Sequence, residues 1–291
     1  MIRLPITDAD LLNRIDGENA TWRARAQART AEFVANGAYQ DRGNFWSDIK
    51  LVFMRLQNFK CVFCERPLAR EAVGVIEHDV EHFRPKGRVT AWPKARGPTY
   101  GFSTGGPAPN GYFWLAYDPL NYATACKPCN STLKSDAFPI AGSARGAVGA
   151  TPAQLLATEK PFLIYPIGSS DDDPEDLITF EGISAKPKVR SGHRKRRAEV
   201  TIDFFRLNTR EELWHERFHV IRAMFDAYDI TQTSAFSVDR QGEASDTLKS
   251  MTHARSPHAS CARRFLELLN TDRTAAWNIY TSAKAYLSQP I

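Results

Sequence analysis

Apolar residues recur at helical spacing toward both ends of the chain and at strand spacing only in its middle. Near the start, Leu11, Leu12 and Ile15 share one face of a helix that Asp8 is placed to cap. From about Ser47, the spacing of Ile49, Phe53 and Leu56 predicts a second helix that delivers the chain to Cys61. Between Ala72 and His82 the pattern shortens. Val73, Val75 and Ile76 are β-branched and Pro85 ends the run, which predicts a strand. Residues 87–111 are crowded with glycine and proline and read as a long loop, of the kind kept for function or mobility. A second short strand is expected from Asn121 to Ala125, and a helix from about Pro128 through Lys134.

Beyond Phe138-Pro139 the chain loosens through the Ala/Gly-rich residues 141–150. Leu177 to Phe180 and Ile183 to Lys186 flank Glu181-Gly182 as a weak hairpin pattern. Helical spacing returns at about 194–207, and Thr209 with Glu212 predicts a capping box for the helix that follows. There Trp214, Phe218, Ile221, Phe225 and Tyr228 form the stripe of a packed helix, a core face rather than a base-stacking platform. Residues 231–258 are polar and read as a loop, with two final helices near 258–269 and 272–287.

Composition adds little until its distribution is considered. The 291 residues are 43% hydrophobic and 24% charged, ordinary for a globular chain able to bury a core. The formal charge is only +5, but seven Lys/Arg and no acid lie between Lys186 and Arg197. Such a block can neutralise phosphates, or it can be a solvated turn. An acidic run, Asp171 to Asp176, stands nearby in sequence. No stretch approaches the ~20 apolar residues of a membrane span, and Met1 to Asp10 lacks the apolar region of a signal peptide. The expected location is cytoplasmic, where thiols stay reduced.

Reduced thiols give the cysteine spacing its meaning. Cys61/Cys64 and Cys126/Cys129 form two Cys-x-x-Cys pairs, the arrangement by which four thiolates close a tetrahedral shell around one Zn²⁺. A closed shell predicts a structural ion that pins the segment near residue 61 to the segment near 126. Cys261 stands alone in a predicted helix and reads as a small core residue.

Within the excursion between the two pairs lies Glu77-His-Asp-Val-Glu-His-Phe-Arg-Pro85. Asn121 precedes the second pair by five residues, Asn130 follows it directly, and Lys134 comes four later. Glu81, His82 and Pro85 followed by Asn121, Cys126, Cys129, Asn130 and Lys134 resemble the motif of the HNH (ββα-metal) endonucleases. The stretches Cys61-Val-Phe-Cys-Glu, Glu81-His-Phe-Arg-Pro-Lys, Trp114-Leu-Ala-Tyr-Asp and Asn130 through Pro139 look like one branch of that family. That branch is the HNH nucleases of Septu and retron-associated anti-phage defence systems. The resemblance covers roughly residues 45–270 and is strong over 61–139.

Phosphodiester hydrolysis needs a base for the attacking water and a cation on the phosphate. An imidazole titrates near neutrality, which selects His82 as general base. The family resemblance implies Glu81 and the Asn130 oxygen as ligands of Mg²⁺ or Mn²⁺, and Asn121 as a brace for the loop holding His82. It also implies 5′-phosphate and 3′-hydroxyl products, and an ATPase partner. This chain carries no G-x-x-x-x-G-K-[ST] loop of its own. Strand alternation puts Glu77, Asp79 and Glu81 on one face, and His78 with His82 on the other. His78 then lies about 13 Å behind His82 at ~3.3 Å per residue, which suits a supporting role. The sequence departs from the family in having Glu where many members have Asp before the histidine. It also departs in its 86–113 insertion.

The architecture expected is α+β: an HNH ββα-metal core with a four-cysteine zinc knot, flanked by N- and C-terminal helices. The division expected is 1–60 helical, 61–140 nuclease core, and 141–291 mainly helical with the basic segment 186–197. Lys86, Lys134, Arg190, Arg194, Lys195, Arg196 and Arg197 are the candidate nucleic-acid contacts. DNA is the expected substrate. The residues leave open an HNH nuclease acting on RNA, and a zinc-stabilised module that binds nucleic acid or a partner without catalysis.

Overall fold

A computed structural model describes residues 1–289 and is mixed α+β, with most of the chain helical and two small antiparallel sheets. The first helix, α1 (Asp8–Glu18), is capped by Thr7, whose hydroxyl accepts from Asp10 N. The cap therefore lies one residue before the expected Asp8. Leu11 and Ile15 are buried, while Leu12 is only half-buried. Then come α2 (Trp22–Asn36), a 3-10 turn at Trp46–Ile49, and α3 (Lys50–Leu56). The indole of Trp22, 1% exposed, donates to the Phe45 carbonyl and packs edge-on to Tyr122, which ties the N-terminal helices to the central sheet.

The strand expected over 72–82 is half helix. Residues Glu71–Glu77 form α4, and only His78–His82 form strand β1. The partner strand β2 (Tyr122–Cys126) is five residues long and pairs from His78↔Cys126 to His82↔Tyr122. Upstream of His78 β2 offers no partner backbone, so the chain satisfies its N–H and C=O groups helically despite its β-branched residues. Val73 and Ile76 are left 67% and 75% exposed.

β2 is buried along its whole length, so its outer edge cannot be left to water. The Gln57 side chain closes it. Thr124 N–H donates to Gln57 Oε1 at 2.7 Å, and Gln57 Nε2 donates to the Thr124 carbonyl at 2.7 Å. The same device recurs where β1 ends: Arg84 N–H donates to Asn121 Oδ1, and Asn121 Nδ2 donates to the Arg84 carbonyl.

After β2, a π-helical turn spans Pro128–Lys134 where an α-helix was expected. The 87–111 segment is irregular, as expected. It is held by a bridge between Val89 and Ala108 and by Trp92, Tyr100 and Phe102 stacking in series, Trp92 also against Phe204. Next comes α5 (Pro152–Glu159), which begins with a capping box between Thr151 and Gln154. A short α6 (Pro174–Leu177) leads into the hairpin of β3 (Ile178–Glu181) and β4 (Ser184–Pro187). Gly182 turns this hairpin with φ +58°, a conformation that suits glycine. Asn208 closes the β4 edge as Gln57 closes β2, pairing with both N–H and C=O of Ala185.

The rest is helical: α7 (Gly192–Phe204), α8 (Glu211–Gln232), α9 (Val238–Thr252), α10 (Ala259–Thr271) and α11 (Arg273–Leu287). α9 occupies the polar segment expected to be a loop. Ser237 caps it, and Ala244 and Leu248, one turn apart, are its buried contacts. The capping box expected at Thr209 and Glu212 does not form, because Glu212 is drawn to Arg210 at 2.8 Å. The expected core stripe of α8 is buried at Ile221 and Phe225 and half-buried at Trp214, Phe218 and Tyr228. One hydrophobic core runs from α1 through both sheets to Leu213, with Cys261 fully buried in it. A second lies among α8, α9, α10 and α11, around Ile221, Phe225, Phe265 and Tyr280. Among the described residues no helix is long and apolar enough to cross a membrane.

Between α7 and the loop that precedes α6 the charges lock. The buried Arg197 guanidinium contacts Asp171 and Asp172 at 2.6 and 2.8 Å and donates to the Leu163 carbonyl. Removing one member of such a pair strands the other in a low-dielectric interior. Arg197→Ala should therefore destabilise the fold by roughly 3–5 kcal/mol. Exposed Arg196→Ala should cost about 1 kcal/mol or less. Chemical unfolding of the two variants checks the contrast.

Candidate metal centre and active site

Cys61 and Cys64 sit on the tight turn after α3, Cys126 ends β2, and Cys129 opens the π-helical turn. All four are buried, and their sulfurs lie within 4.8 Å of one another. The Cys64 and Cys126 sulfurs are 3.8 Å apart. Two sulfurs each ~2.3 Å from a tetrahedral ion stand ~3.8 Å apart, so this donor set fits one metal ion such as zinc. Arg210 donates to Cys129 Sγ at 3.2 Å, a charge-assisted contact suited to a thiolate cluster. Sequence reading missed Arg210; its distance of 81 residues from Cys129 hides the pairing.

The cluster fastens the end of β2 and thereby fixes what faces it across the sheet. On β1, alternation sends Asp79 and Glu81 toward the π-helical turn. Asp79 meets Lys127 at 2.9 Å and Asn130 Nδ2 at 3.1 Å. Glu81, 1% exposed, lies 2.5 Å from the fully buried Lys134 ammonium. That is a charge contact without hydrogen-bond direction: Glu81 Oε1 has no directed partner, and Lys134 donates instead to the His82 carbonyl at 2.9 Å. Burial raises the Glu81 pKa against the opposing pull of Lys134.

His82 faces the other way, in a box of aromatic side chains. Its ring stands edge-on to Trp46 and to Tyr122, both at 4.9 Å. Nε2 lies 3.0 Å from the Ala116 carbonyl, which also accepts from the Tyr122 hydroxyl. A carbonyl can only accept, so Nε2 carries the proton and Nδ1 holds the free lone pair. Burial first, then Lys86 and Lys134, hold the His82 pKa well below its usual 6.5. The ring is neutral at neutral pH, as a base must be. His78 is fully buried and its Nε2 donates to the Ala69 carbonyl, which makes it a support for the strand.

The other expected residues fall into two groups. Asn121 grips both backbone groups of Arg84, the second residue after His82, and also donates to the Leu115 carbonyl. The cation of Lys86 lies 4.7 Å from the Trp46 ring centre, beside the His82 box. Lys134 is corrected: buried under Glu81, it presents no charge to a phosphate. Arg197 is likewise corrected, being spent on Asp171 and Asp172. Arg194 reaches Asp172 and Asp176, Lys195 pairs with Glu199, and Arg196 lies over the Phe102 ring. The acidic run folds against the basic block, so much of the charge that stands out in sequence is neutralised internally. Arg190 is exposed. Asp79 is the site residue that sequence reading placed on the right face without giving it a role. Its position two before Glu81 was the available clue.

No family model matches this sequence, and no solved structure does. Among curated proteins, the Septu protein PtuB of Bacillus mycoides (strain KBAB4) is 24% identical over 213 residues, or 73% of this chain. This chain is similar to a Septu protein. The aligned stretch covers 64% of that relative, so the chain spans a little under two thirds of its length.

Two outcomes follow from the geometry. Purified protein should hold one zinc per chain, and Cys126→Ser should lose both the ion and the cooperative unfolding transition, by elemental analysis and calorimetry. Below pH 6.5 the unfolded chain binds a proton at His82 that the folded chain refuses, so acid costs stability there. Stability should fall less steeply below that pH in His82→Gln than in wild type, by at most about 1.4 kcal/mol per pH unit.

Proposed function

We propose that this chain is a metal-dependent endonuclease of the HNH type that hydrolyses DNA phosphodiester bonds as an effector of anti-phage defence. The observation that carries the reading is His82: a buried imidazole with a forced tautomer and a depressed pKa, on a strand clamped to a four-cysteine cluster. The similarity to a Septu protein supports the defence role. A defence-system partner, an ATPase by family resemblance, belongs to the same proposal.

In this reading Nδ1 of His82 takes the proton of the attacking water, while the Ala116 carbonyl holds Nε2–H and keeps the ring turned. Asn121 fixes the backbone just beyond His82, so the ring cannot drift with the loop. Glu81 and Asn130 would hold a divalent cation such as Mg²⁺ or Mn²⁺. The Asn130 oxygen is left free by the bond its Nδ2 makes to Asp79, whereas Glu81 Oε1 is charge-paired with Lys134 at 2.5 Å and would have to exchange that ammonium for the cation. The cation would neutralise charge on the phosphate and the leaving 3′ oxygen. Asp79 is a positioning residue for Asn130. Lys86 is the basic side chain nearest the box that keeps a partly exposed cation for the phosphate backbone.

Plasmid cleavage with Mg²⁺ or Mn²⁺ tests the reading, in protein confirmed to hold its zinc. Loss of a general base should lower the rate by about 10²–10⁴-fold in His82→Ala. The wild-type rate should begin to fall only below pH 6.5, because burial, Lys86 and Lys134 hold the His82 pKa beneath that ordinary value. Equal cutting by the two proteins would sink the mechanism.

A further inference from the structure

α8 carries a second convergence of metal-binding side chains, far in sequence from the cysteines. His215 and His219 are one helical turn apart, half-exposed and exposed respectively. Their Nε2 atoms meet at 3.1 Å, with ring centres 4.6 Å apart. Two nitrogens each about 2.05 Å from one ion stand about 3.3 Å apart at a tetrahedral angle and about 2.9 Å at a right angle. The observed separation falls between the two. Glu211 lies one further turn back on the same stripe, and its carboxylate faces the Tyr286 hydroxyl of α11. Between them opens a pocket of about 400 Å³ lined by Glu211, Glu212, His215, Glu216 and Tyr286.

We propose that His215 and His219 chelate a divalent transition-metal ion through their paired Nε2 atoms, with water completing the shell. Imidazole donors select Zn²⁺, Cu²⁺ or Ni²⁺ over Mg²⁺ or Ca²⁺. The site is separate from the four-cysteine cluster and does not depend on the nuclease reading.

Its position gives it a consequence. Leu213 of α8 belongs to the first hydrophobic core and Ile221 to the second, so the histidine pair spans the stretch of helix that joins them. An ion held there ties one turn of α8 together between the cores. By mass action, binding to the folded chain alone raises its melting temperature as metal concentration rises.

The test uses full-length protein carrying its single cysteine-bound zinc. Added Zn²⁺ and Ni²⁺ are titrated calorimetrically, and bound metal is counted by elemental analysis after dialysis. Wild type should take up a second ion. His219→Ala and His215→Ala should each weaken that second binding by at least about tenfold while retaining the first ion. Circular dichroism establishes that the variants, altered at solvent-facing positions, remain folded. A total of only one bound ion in wild type, with none taken up on titration, would mean that the two rings merely hydrogen-bond to each other. A second ion retained by both histidine variants would place it elsewhere. Either result overturns the site.

Discussion

Four cysteine sulfurs drawn to a single point set the rest of this structure. Cys64 and Cys126 are separated by 61 residues, most of them irregular, and a two-stranded sheet of five-residue strands is too small to organise them alone. Convergence of the sulfurs fixes the end of β2 and the start of the π-helical turn. The register of β1 follows from that of β2, and with it the sides on which Glu81 and His82 emerge. Arg210 reaches back from the start of α8 to the same cluster, so the C-terminal helices are tied to the point that aligns the sheet.

Much of this was legible in the sequence where chemistry and spacing coincide. The paired Cys-x-x-Cys motifs announce the cluster, and the short strand expected from Asn121 to Ala125 lies one residue further on, at Tyr122–Cys126. The final two helices also stand close to their expected bounds. What escaped reading depends on partners remote in the chain. Val73, Val75 and Ile76 have strand character, yet strand requires a neighbour, and β2 is too short to supply one. α9 reads as loop because its buried face is only Ala244 and Leu248, set against α8. A capping box forms at Thr151 and not at Thr209, because Arg210 has a prior claim on Glu212.

Charge misleads in a similar way. The block from Lys186 to Arg197 looks like a surface for phosphates until the acidic run from Asp171 is folded against it. Arg197 is then a core residue and Arg194 a bridge, while Lys86, outside the block, holds its ammonium over the Trp46 ring. Lys134 is a case of the same kind, a cation enclosed with a carboxylate one strand away. Sequence displays how many charges there are; only the fold decides which remain for a partner.

Three side-chain amides, those of Gln57, Asn121 and Asn208, each stand in for a peptide group, offering one acceptor and one donor to a single residue's N–H and C=O. The substitution works only while each amide keeps its nitrogen. Hydrolysis to a carboxylate leaves the shape almost unchanged and turns the donating end into an anionic oxygen set against a carbonyl oxygen. At Asn121 such a change would set repulsion against the backbone of Arg84, two residues beyond His82, while every cysteine and every hydrophobic contact remained intact.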